Sequence, residues 1–93
     1  MTDEELETLV KEVSESIGKL SDPEKPLTKE EKNHKQVLIL QRETLKSIRE
    51  AKKKGNWQQE IKAGIDYALL TSYGEKHPFL MYYIKSQSGW NVF

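Results

Sequence analysis

Residues 28–55, TKEEKNHKQVLILQRETLKSIREAKKKG, are the stretch whose reading decides the fold. Thr28 followed by Glu31 is a capping-box pair: the hydroxyl accepts from a free N–H of the first turn, and the carboxylate reaches back to the cap's own N–H. At the other end Lys52, Lys53 and Lys54 gather where positive charge complements helix carbonyls, and Gly55 suits the left-handed residue that stops a helix. Between these marks Val37, Leu38, Gln41, Leu45 and Ile48 recur at helical spacing, with Ile39 pointing nearly the opposite way. One long helix over about 29–54 follows. The rest of a 93-residue chain must pack around it.

Upstream, Thr2 and Glu5 repeat the capping pattern, and Leu6, Leu9, Val10, Val13, Ile17 and Leu20 make a single apolar stripe over 3–19. Gly18 and Ser21-Asp22-Pro23 end that helix, and Asp22 to Pro26 is a short linker with two prolines. Downstream, Asn56 with Gln59 caps a helix over 57–73 on which Trp57, Ile61, Gly64, Ile65, Ala68 and Leu69 line one side. Gly64 and Ala68, one turn apart, would let another helix approach closely, while Tyr67 and Leu70 lie off the stripe. Gly74 closes the segment.

His77-Pro78 opens a fourth segment over about 78–87, because proline is favoured at the first helical position. On it Phe79, Leu80 and Tyr83 share a face with Gln87, and Met81 and Tyr82 point away. Residues 88–93 form a tail. A strand competes over Phe79 to Ile84, since aromatics and Ile favour sheets, but the sequence offers no partner strand. The expectation is a single all-α domain over 1–93, an antiparallel four-helix bundle with a C-terminal aromatic tail. Burial of one Leu or Ile contributes roughly 1.5–3 kcal/mol, so each amphipathic stripe needs a neighbour to cover it.

Charge sets further bounds. Fifteen Lys and Arg balance fifteen Asp and Glu, which leaves no general attraction to nucleic acid or to an acidic membrane. No cysteine is present, so disulfides and thiolate metal sites are out of reach and a reducing compartment fits. No apolar run approaches the roughly 18–20 residues of a bilayer span, and the acidic start Met1-Thr2-Asp3-Glu4-Glu5 is unlike a secretory signal. A soluble cytoplasmic protein is expected.

The residue types of catalysis are present without their spacing. His34 and His77 sit on different segments with no second ligand at a metal-binding offset, and His77 before Pro78 reads as a cap. Ser72, Ser86 and Ser88 have no base at a fixed distance and no Gly-x-Ser-x-Gly elbow. The five glycines are scattered, so no loop cradles phosphate. Gly55-Asn56-Trp57 is similar to the inter-helix turn of tetratricopeptide repeats, yet Glu60 stands where a small residue belongs and no second copy follows. The chain reads as a non-enzyme with no cofactor and no metal.

Weight therefore falls on Gly89-Trp90-Asn91-Val92-Phe93. Exposed Trp and Phe cost solubility, so these rings either plug the protein's own core or form a hook for a partner. Val37-Leu38-Ile39-Leu40, the run His77-Pro78-x-Leu80-x-x-Tyr83-Ile84 and the ending Ser86-Gln87-Ser88-Gly89-Trp90-Asn91-Val92-Phe93 together resemble the immunity proteins of class II, pediocin-like bacteriocins. That likeness covers the chain in outline and its final sixteen or so residues in detail. It departs from many members in having no net positive charge, and in lacking a longer extension past Phe93.

The resemblance implies a compact antiparallel helix bundle that protects its producer without catalysis. Its partner would be the membrane receptor, the mannose phosphotransferase transporter, with bacteriocin on it, engaged from the cytosolic side. Implied contact residues are Met81, Tyr82, Trp90, Asn91 and Phe93, with Tyr67 and Leu70 as neighbours, since aromatics and Met carry interface energy. Peripheral membrane contact and a monomer or weak homodimer stay open. Two other readings remain: a helical adaptor with an apolar dimer seam, and a nucleic-acid regulator using Lys52–Lys54, which a solvated helix end explains better.

Overall fold

The computed structural model describes residues 2–21, 24–77, 79–80 and 82–84. All regular structure among them is helical: α1 (Asp3–Lys19), α2 (Lys29–Lys54), α3 (Trp57–Tyr73), and helical residues again at 79–80 and 82–84. No strand occurs among the described residues. Met81, Gln87 and the tail residues Trp90, Asn91 and Phe93, expected at the C-terminal face, lie outside the described residues.

Helix starts fall where side chains can satisfy the free N–H groups. Thr28 and Glu31 form the full reciprocal box, with Glu31 N–H donating to Thr28 Oγ1 (3.2 Å) and Thr28 N–H donating to Glu31 Oε1 (3.1 Å). At Thr2 only half of it forms; Oγ1 accepts from Glu5 N–H, while the Thr2 hydroxyl donates to the Glu5 carboxylate. Asn56 Oδ1 accepts from Gln59 N–H, and Gln59 Nε2 donates onward to Ser47 Oγ at 3.2 Å, tying the start of α3 to α2. Gly55 adopts φ 69°, the left-handed stop that only glycine takes without steric cost.

The longest element sets the shape. The 26 residues of α2 at about 1.5 Å each come near the 43 Å long dimension of the molecule. Both α1 and α3 pack on α2, and their backbones stay apart from each other. Lys52 Nζ meets Asp3 Oδ1 at 3.6 Å and Arg49 Nη2 meets Glu7 Oε1 at 3.4 Å, which places the start of α1 at the end of α2. These pairs reach solvent and orient more than they stabilise.

Two apolar clusters follow from that layout. Leu6, Val13 and Ile17 of α1 meet Leu38, Leu45 and Ile48 of α2 and Ala63 of α3, with Leu9, Val10, Leu20, Ile39 and Tyr67 packed around them. Val37 and Leu40 of α2 meet Leu70 and Ile84, with Leu69 and Leu80 alongside. Because two helices cover it, α2 buries Leu40, Thr44 and Ala51 in addition to the sequence stripe. The buried Thr44 hydroxyl donates to Gln41 O at 2.7 Å, which removes the penalty of an orphan donor. Ile39, expected to face outward, is half-buried at the margin of the first cluster.

Most of the predicted apolar side of α3 is turned away from the core, although Leu69 of that side packs against the second cluster. Ala63, Asp66 and Leu70 are buried, whereas Trp57, Ile61 and Ile65 are exposed. The reason is geometric: Gln59 is held at Ser47 and Leu70 is locked between Val37 and Leu40, and these two points fix the rotation of the helix.

Candidate functional site

Past α3 the chain turns sharply because Gly74 has no side chain. A Cβ there would stand 2.6 Å from Leu70 O and 3.1 Å from Val37 Cγ1, so any larger residue would push the turn off α2. Gly74 thus ends α3 as expected, but by close approach and not by left-handed geometry, since its φ is −54°. The turn is then pinned to the first part of α2: Asn33 Nδ2 donates to Glu75 O at 3.3 Å, and His34 Nδ1 contacts Glu75 Oε1. Lys76 and His77 N–H both donate to Tyr73 O, and His77 O accepts from Leu80 N–H, giving His77 its role at the start of the next segment.

In that segment Leu80 and Ile84, four apart, face inward; Ile84 is fully buried. Their anchoring leaves Phe79, Tyr82 and Tyr83 on the outer side, at three- and four-residue spacing. Phe79 is 84% exposed and Tyr82 is 70% exposed. Tyr73 is exposed as well, and its ring centroid lies 5.9 Å from that of His77. The expected grouping of Phe79, Leu80 and Tyr83 on one face is corrected by this arrangement: only Leu80 of the three packs inward. Its spacing with Ile84 could have indicated the inner face, but the larger rings drew the stripe toward themselves.

The expected contact residues are distributed unevenly. Tyr82 is on the surface. Tyr67 is half-buried against the first cluster. Leu70, taken as a neighbour of the contact, is a core residue at 1% exposure and supports the surface from beneath. Phe79 and Tyr83 belong to the surface and were missed.

A groove of about 300 Å³ lies between α2 and the end of α3, with Val37, Leu38 and Leu70 beneath and His34, Gln41, Glu75 and Lys76 among its rim. His34 is already engaged by Glu75 there, and no group of three metal-ligating side chains occurs among the described residues. Elsewhere burial pushes the Asp66 carboxyl above its ordinary value, with the nearby Lys62 ammonium opposing the shift. Of the lysine run, Lys52 reaches Asp3 and Lys54 reaches Glu50 at 3.5 Å, so two of the three charges are spent locally. No described helix is long and apolar enough to cross a membrane. No family profile matches the chain, and no curated protein or solved structure matches it either.

Proposed function

We propose that this protein acts by docking on another protein, without catalysis, as an immunity protein against a class II bacteriocin. One observation carries the reading: the outer face of the 79–84 segment presents Phe79, Tyr82 and Tyr83 to solvent while Leu80 and Ile84 hold its inner face in the core. Phe79 and Tyr82 are the most exposed large rings among the described residues, and exposed aromatic anchors are what a protein interface uses.

In this reading the four segments form an antiparallel bundle, and Phe79, Tyr82 and Tyr83, with Met81, Trp90, Asn91 and Phe93 as further contact residues, meet the toxin-occupied mannose phosphotransferase transporter from the cytosolic side. Binding stabilises the closed receptor, and no bond is made or broken. Expression in strains sensitive to a panel of such bacteriocins tests it. Resistance to one toxin or a few related ones is the expected result; unchanged sensitivity across the panel would overturn the assignment.

A further inference from the structure

The chain's charges balance as a whole but not element by element. Nine Lys and Arg stand against four Glu on α2, whereas α1 carries two Lys against six Asp and Glu. Much of the surplus on α2 runs in single file on the side away from Thr44 and Ile48. Lys35, Ile39, Arg42, Lys46, Arg49 and Lys53 follow one another in alternating steps of four and three. No acid falls on that row over its length of about 27 Å. Lys46, Arg49 and Lys53 are exposed, and Lys35, Ile39 and Arg42 are half-buried. These charges are poorly matched within the fold. Lys35, Lys46 and Lys53 make no ion pair among the described residues. Arg42 Nε has no hydrogen bond and lies 3.8 Å from Glu43 Oε1, and Arg49 meets Glu7 at 3.4 Å.

We propose that this row docks one acidic helix of a partner protein, on which Asp or Glu recurs at three- and four-residue steps. The surroundings of the row set the width of its ligand. Glu43 and Glu50 lie beside it toward α3, the side where Ser47 meets Gln59. On the other side, where Arg49 meets Glu7, lies α1 with its surplus of acids. An anionic lipid sheet would rest on α1 together with α2 and meet nearly balanced charge, which gives it little to hold. A single rod is narrow enough to meet the bases and pass between the flanking acids. One nucleic-acid strand is such a rod, but its sites stack bases on aromatic rings. The row holds no ring, and the exposed Trp, Tyr and Phe side chains lie on α3 or beyond it. The spacing itself favours a helix: alternating four and three is the period at which one helix faces another lying almost parallel, with Ile39 as an apolar contact among the charges. Ion pairs formed at the surface are individually weak, so binding is salt-sensitive and needs the whole row.

The probe is an Ala-rich synthetic helix with Glu at the alternating spacing, compared with an isomer of identical composition whose Glu residues are spread around all faces. Fluorescence anisotropy of each labelled peptide is followed as the full chain is added, at low and at high salt. The spaced peptide is expected to bind at low salt, at least about fivefold more tightly than its isomer, and to be released by high salt. Lys46→Gln with Lys53→Gln should weaken that binding by roughly fivefold or more. Lys29→Gln with Lys76→Gln, which removes the same charge away from the row, should leave it unchanged. Melting curves of both double variants close to the wild type's separate a lost contact from a lost fold. Equal binding of the two peptides, or no binding of either at low salt, overturns the proposal. So does a Lys46→Gln/Lys53→Gln variant that binds as well as the wild type. Capture of phosphatidylglycerol vesicles or of single-stranded poly(dT) in place of the spaced peptide overturns it as well, and assigns the row to lipid or to nucleic acid.

Discussion

Burying Asp66 on the α2-facing side of α3 takes a carboxylate out of water, and the proton is held more tightly as a result. A raised folded-state pKa favours folding where the group is neutral in both states, below the ordinary value of 3.8, and that contribution is lost as pH rises through the folded value. Asp66→Asn should therefore melt above the wild type near pH 7, and the gap should close on acidification to about pH 3, followed by thermal circular dichroism at both ends. A variant that is less stable at neutral pH would mean the charged carboxylate is stabilised. Gly74 makes the opposite kind of demand, for space. Gly74→Ala forces a methyl group against Leu70 O and Val37, and should cost about 1–3 kcal/mol in a urea titration, as overpacking does.

At the scale of the element, the local parts of the structure were legible and the relational parts were not. Thr28 with Glu31, Asn56 with Gln59 and the left-handed Gly55 fix helix ends through bonds that span three or four residues, so they can be read from neighbours in sequence. Periodicity says which side of a helix is apolar and nothing about what covers it. In α3 the richer stripe, Trp57, Ile61 and Ile65, stays outside, and the poorer one, Ala63, Asp66 and Leu70, goes in. The 79–84 segment repeats the inversion, hiding Leu80 and Ile84 beneath more conspicuous rings. Contact from two sides likewise widened the buried face of α2 past its predicted stripe to Leu40, Thr44 and Ala51. A pair of truncations checks the orientation of α3. Leu70→Ala should cost about 2–5 kcal/mol, whereas Ile65→Ala at dilute protein concentration should stay within about 0.5 kcal/mol of the wild type. Equal costs would place both residues in the core.

Across the whole molecule, α2 serves as a spine that carries α1 on one part of its surface and α3 with the 79–84 segment on another. The second cluster and the turn pinned by Asn33 and His34 attach the aromatic face to that spine. A surface anchored to the fold in this way loses less entropy on binding than a free segment would. Its rings are outside the core, so removing them should leave stability nearly untouched and act on binding alone. The most direct measurement is protection conferred by the Phe79→Ala/Tyr82→Ala double variant, produced at wild-type level in a strain the wild type protects, alongside its melting curve. The account predicts native helicity, a melting temperature close to the wild type's and loss of protection. Full protection by a well-folded double variant would contradict it.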